Sequence, residues 1–229
     1  MRWIKKGLIL SEIEASGLDL YNTQVPYALL IDGQLRIYFG ARKSNSSSAG
    51  IYYIEVDPLR PENKLNLSSH PVLSAGNLGT FDQDGVLPVC LKDVGNEIYL
   101  YYGGFTKHVS HSHSCMMGLA ISRDNGQSFS RISEGPILPI SKIDPYLIGS
   151  ADVVIFDGIW NMIYTSGLKW SLIDNLPEIS YTLKHAYSPN GIDWTPSDKI
   201  VMPQETEFDA YAKPSIFKLN DLFAMYFSK

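Results

Sequence analysis

With 229 residues, 45% of them hydrophobic and 19% charged, the chain has the composition of one or two ordinary globular domains. A net charge of −5 and a pI near 5.5 leave no basic surface of the kind that neutralises phosphates, so nucleic acid is not an expected partner. No apolar run approaches the roughly 20 residues of a membrane helix. Cys90 and Cys115 form neither a disulfide framework nor a CxxC metal pair, and are expected as free thiols in a reducing, cytoplasmic compartment.

Residues 1–10 carry the positive charges of a secretion signal, but their apolar run stops at Ser11-Glu12, and the segment is expected as a first strand. From there one pattern recurs four times: an apolar run, a short turn, and a second run rich in aromatic residues, at 25–40, 85–103, 150–167 and 213–227. With Pro26, Pro88, Val153 and Pro214 as equivalents, the spacings are 62, 65 and 61 residues. Each copy reads as a β-hairpin, because runs of strand length flank turns such as Asp32-Gly33 and Asn220-Asp221. Third strands are expected at 50–56, 117–121 and 183–187. Two of them lead into a similar corner, Ser122-Arg123-Asp124-Asn125-Gly126 and Ser188-Pro189-Asn190-Gly191, where Asp or Asn bonds the turn and Gly takes positive φ. Four strands per unit is the blade of a β-propeller. The expectation is a single all-β domain with blades at about 20–75, 80–140, 148–203 and 209–229, the chain apparently ending within blade four and leaving strand edges open to self-association.

Several short motifs stand in a definite order: Thr23-Gln24-Val25-Pro26, Phe81-Asp82-Gln83-Asp84-Gly85, Asp144-Pro145-Tyr146, Gly158-Ile159-Trp160 and Ala212-Lys213-Pro214. Through them the chain resembles the glycosidase-related five-bladed β-propeller proteins, a superfamily that includes arabinanases, β-xylosidases, invertases and mannoside phosphorylases. The resemblance runs through nearly the whole chain and implies a sugar site in the central funnel, acting on a small-molecule or oligosaccharide substrate without a cofactor. It also implies acidic residues at the starts of the inner strands. The matching positions are Asp82, Asp84, Asp152 and Asp209, with Glu205 and Glu207 as further candidates in the same loop as Asp209. Glycoside cleavage asks for two carboxyl groups across the scissile bond, one of them protonated. The equally ordinary use of Asp82 and Asp84 is to cap their own turn.

Blade one departs from the hydrolase pattern, since Tyr21-Asn22-Thr23-Gln24-Val25 brings no carboxylate to the funnel. That departure favours either a phosphorylase- or transferase-like relative with a bound anion, held by Arg36, Arg42 or Lys213, or a glycan-binding propeller without catalysis. Gln24 and Tyr27 are further expected substrate contacts. In the loop Lys107-His108-Val109-Ser110-His111-Ser112-His113, the imidazoles match no closed zinc site. The loop is expected instead to cover substrate, with His108 reaching the funnel.

Overall fold

The computed structural model describes residues 4–43, 48–206 and 209–229. Four antiparallel sheets follow one another in the chain. The first contains β1 (Tyr21–Ile31), β2 (Gln34–Arg42), β3 (Gly50–Val56) and β4 (Lys64–Leu67). The second contains β5 (Gly85–Asp93), β6 (Ile98–Lys107), β7 (His113–Ser122) and β8 (Ser130–Arg131). The third contains β9 (Ile148–Phe156), β10 (Ile159–Ile173), β11 (Leu176–Ser188) and β12 (Thr195–Met202), and the fourth is the hairpin β13 (Ala212–Leu219) and β14 (Leu222–Ser228). Within each sheet the strands pair in chain order. The hairpin turns follow from their sequence: Asp32-Gly33 and Asp157-Gly158 place both central residues at positive φ, as a tight turn joining two right-twisted strands requires.

The first strands of the sheets, β1, β5, β9 and β13, contact one another in succession. They therefore enclose the axis of the molecule, and the remaining strands extend outward. Burial is concentrated between sheets. Tyr38, Ile51 and Tyr53 of the first sheet pack against Leu91, Leu100, Tyr102 and Phe129 of the second. Tyr101, Met117 and Leu119 of the second pack against Val153, Met162, Tyr164 and Trp194 of the third. The expected corners are also present: Ser122 and Asp124 bond the backbone around Gly126, and Ser188 and Asn190 do so around Gly191.

The N-terminal expectation is corrected. Residues 4–10 form no strand, and residues Glu12–Gly17 form a short helix, α1. Its cause is a capping box: the Ser11 hydroxyl accepts the Glu14 N–H, and the Glu14 carboxylate accepts the Ser11 N–H. Ala15 of this helix packs with Leu20, Phe39, Tyr52 and Ile54, covering the free face of the first sheet.

Candidate functional site

A pocket of about 230 Å³ opens where the starts of the four innermost strands meet, lined by Val25 of β1, Leu87 of β5, Ser150 of β9 and Lys213 of β13. Its side walls are Phe105 of β6, His113 of β7 and Tyr181 of β11. Two backbone kinks shape the rim. Val25 and Lys213 sit at φ 53° and 54°, each immediately before a proline and each inside a register shift of its strand. Left-handed φ at a β-branched residue such as Val25 is rare, and strained backbone of this kind gathers at ligand sites. The kink at Lys213 is tied down by its N–H, which donates to Ser150 Oγ at 2.8 Å, while Ser150 and Thr165 share a hydroxyl bond of 2.9 Å. Gly40 keeps the neighbouring wall thin, because a Cβ there would overlap the Leu87 side chain.

The aromatic wall is continuous with the histidine loop. The rings of Phe105 and His113 lie 5.2 Å apart; His108 stacks on His111 at 4.5 Å, and His111 lies 5.0 Å from Trp170. Burial, with the nearby imidazoles of His111 and His108 adding to it, lowers the His113 pKa, so this ring is neutral at physiological pH. His108 itself bonds Ser114 Oγ at 3.0 Å. The imidazole that reaches the pocket is therefore His113 and not the expected His108. Among the described residues no group of three or more His, Cys, Asp or Glu converges as a metal site.

The four expected aspartates occupy four separate settings and share no hydrogen-bond partner. Asp82 is fully buried inside the second sheet, accepting from Thr80 Oγ1 at 2.7 Å, Tyr102 OH at 3.2 Å and Arg131 at 2.7 Å. The third sheet repeats this arrangement with Asp144, which accepts from Tyr164 OH at 2.9 Å, Ser166 Oγ at 2.6 Å and Lys184 Nζ at 3.1 Å. Asp209 belongs to the same class: its carboxylate takes Tyr211 OH at 3.0 Å and the Glu205 N–H at 2.9 Å, with Lys229 at 3.4 Å. Desolvation opposes ionisation of Asp209, but the N–H and hydroxyl donors outweigh it and hold the carboxyl far below the usual range. Glu205 pairs with Lys229 at 2.9 Å, and Glu207 lies outside the described residues.

Asp152 stands inside the channel. Its Oδ1 accepts from Lys92 Nζ at 3.1 Å, Tyr27 OH at 3.3 Å and Cys90 Sγ at 3.3 Å, and its Oδ2 accepts the Ile216 N–H at 2.7 Å. All four innermost strands thus meet on one carboxylate, and Tyr27 is part of this junction, not of the pocket wall. Asp84 is the partly exposed member of the set. It lies beside the pocket, with its own N–H on the Phe105 carbonyl at 3.0 Å. The Lys107 N–H at 2.8 Å, assisted by Gln83, lowers the Asp84 pKa and keeps it ionised.

Of the expected cations, Arg36 is consumed elsewhere: it binds Glu55, lies over the Tyr53 ring at 4.5 Å, and reaches the Asn125 carbonyl of the second sheet. Arg42 ends β2 opposite Tyr21. Gln24 is exposed and borders a separate cleft of about 730 Å³, walled by α1 and the start of β1. Lys213 alone of the expected substrate contacts lies on the pocket wall. Sequence reading missed Phe105, Ser150, Thr165 and Tyr181, and singled out His113 only as a member of its loop. Two of the missed residues stood next to features already noticed: Phe105 lies two residues after the second repeat copy ends at Gly103, and Ser150 lies two residues before Asp152, on the same face of a strand.

No family model matches the chain. Two uncharacterized proteins of Mycobacterium tuberculosis, Rv1502 (strain ATCC 25618 / H37Rv) and MT1551 (strain CDC 1551 / Oshkosh), are each 27% identical to it over 229 residues, covering 99% of this chain and 75% of their own. Among solved structures, a glycoside hydrolase superposes with a TM-score of 0.69 at 14% identity, and BT0996, solved as an RGII complex, with 0.68 at 15%. The Bombyx mori GH32 β-fructofuranosidase BmSUC1 superposes with 0.61 at 13%. The fold is a glycosidase-type β-propeller. In each superposition 90% of this chain is matched; the chain spans 65% of the first two structures, just under two thirds, and 41% of the third.

Proposed function

We propose that this glycosidase-type propeller recognises a carbohydrate, seating one sugar ring in the pocket at the channel mouth. The observation that carries the reading is the convergence of all four innermost strand starts on a single cavity with an aromatic wall. Its volume of about 230 Å³ is below the ~300–1,000 Å³ of drug-sized ligand sites, which fits one ring better than an oligosaccharide held along its length. Phe105 and Tyr181 offer flat apolar faces for the C–H side of a sugar, while Ser150 and Thr165 offer hydroxyl partners. The superposed proteins lend support through their own ligands, since a mutant of the GH32 enzyme BmSUC1 is known in complex with sucrose.

A second reading, glycoside cleavage or transfer, is favoured by Asp84, an ionised and partly exposed carboxylate beside the pocket. No carboxylate forms part of the described pocket wall, so binding stands first. Calorimetric titration with a panel of methyl glycosides tests it, with Phe105→Ala as the variant. Loss of one aromatic contact of about 1 kcal/mol should weaken the best ligand roughly fivefold. Absence of binding by the parent across the panel would overturn the reading. Release of reducing sugar or of aglycone by the parent, reduced about a hundredfold or more in Asp84→Asn, would establish the second reading.

A further inference from the structure

Lys213 is the one fully charged side chain on the described pocket wall. Two other lysines that reach inward in the propeller have a carboxylate: Lys92 has Asp152 and Lys184 has Asp144, both at 3.1 Å. Among the described residues the Lys213 ammonium has no ion pair and no side-chain hydrogen bond; only its backbone N–H is engaged, by Ser150. The residue remains open to solvent at the pocket mouth, yet the atoms packed around it push its pKa below that of an ordinary lysine, with no neighbouring charge of either sign contributing. A lysine at the pocket mouth with no counter-ion has its charge available to an incoming anion, and the residue is held there by a kinked, left-handed backbone. The rest of the wall is neutral, with the hydroxyls of Ser150 and Thr165 as additional donors and His113 as an uncharged ring. This isolated positive charge belongs to a protein whose net charge is −5.

We propose that the sugar taken by this pocket is an acidic one, bearing a carboxylate or a phosphate that pairs with the Lys213 ammonium. The inference rests on the sugar-binding reading above and adds the chemical class of ligand. An anion seated there supplies the missing counter-charge, and charge-assisted hydrogen bonds are about twice as strong as neutral ones. The hydroxyls then hold the ring or the remaining anion oxygens.

Two measurements on the same protein test it. In lysine-labelled protein followed by NMR, the Lys213 ammonium should titrate below the other lysines, and inorganic phosphate should move its pKa upward. In calorimetric titrations with matched methyl hexosides, hexuronates and hexose 6-phosphates, an acidic member should bind at least about tenfold more tightly than its neutral counterpart. The better of the two acidic series identifies the group as carboxylate or phosphate. Lys213→Gln should abolish the preference. Lys218→Gln, on the same strand but off the pocket wall, should leave the preference unchanged. Equal binding of acidic and neutral sugars, with phosphate leaving Lys213 unmoved, overturns the inference and leaves the sugar site standing. A Lys213 response to phosphate without binding of any sugar overturns the sugar reading and the acidic sugar with it.

Discussion

At the scale of single residues, the same side chain at nearly the same place in successive sheets has different work to do, and its donors decide which. Asp82 and Asp144 each join the loop before a sheet to a tyrosine on the second strand and a cation further out. Removing such a carboxylate leaves a buried cation without its partner, which typically costs about 3–5 kcal/mol. Asp144→Ala should therefore lower the urea midpoint severely, because Lys184 is almost wholly buried; a change within experimental scatter would show that water replaces the carboxylate. Asp84 is held below the usual carboxylate range, chiefly by the Lys107 N–H, so its contribution to stability is complete above the unfolded value of about 4 and is lost as pH falls through the lower folded value. Urea midpoints measured from neutral pH down to pH 3 should fall less for Asp84→Asn than for the parent. That carboxylates stand at the starts of the inner strands was implied by the resemblance. Which of them are sealed could not be read in advance, because the sealing groups Arg131, Tyr102, Lys184 and Tyr164 lie 20 to 49 residues away in the chain.

At the scale of elements, the hairpins and corners were legible because their signals are local: a turn dipeptide, a run of strand length, a Ser-x-Asp or Ser-x-Asn corner. The helix α1 carried an equally local signal in Ser11 and Glu14, but the apolar residues just before it gave the stronger impression of a strand. What no local pattern revealed is how the corners fasten the sheets to each other. Tyr38 of β2 donates to the Gly126 carbonyl of the second sheet at 2.9 Å, and Tyr101 of β6 donates to the Gly191 carbonyl of the third at 2.7 Å. Both tyrosines are fully buried and stand one residue before the aromatic that precedes Gly40 and Gly103. Tyr38→Phe should cost about 1–3 kcal/mol, as the buried Gly126 carbonyl loses its donor, and Tyr101→Phe should cost less, because the Gly191 carbonyl keeps the Trp194 Nε1–H at 3.1 Å. Because the two bonds lie at different sheet interfaces, the double variant should be additive within about 0.5 kcal/mol. Clear non-additivity in denaturant unfolding would mean that the interfaces do not act independently.

For the whole molecule, the repeat period correctly anticipated sheets arranged around an axis and the resemblance implied a site in the funnel, whereas most of the pocket wall went unnamed because it is assembled from residues of many strands that are individually ordinary. The sheets are also unequal in what they bury. Between the first and second, and between the second and third, lie continuous buried clusters, whereas the third and fourth are joined by the Lys213 and Ile216 N–H groups on Ser150 and Asp152 and by Phe156 against Phe223 at 5.6 Å. The fourth sheet leaves Leu219, Leu222, Phe223, Tyr226 and Phe227 exposed, and among the described residues β14 is paired on one edge only. A strand edge with unpaired backbone groups beside apolar side chains is a template for pairing with another chain. The protein alone should therefore self-associate as its concentration rises in sedimentation velocity. Replacing Leu222 and Phe227 together by lysine places like charges on that face and should return it to a single slower species, with the acidic-sugar preference unaltered because neither residue lines the pocket. A parent that stays monomeric at every concentration, indistinguishable from the lysine variant, would show that this face is tolerated by solvent as it stands.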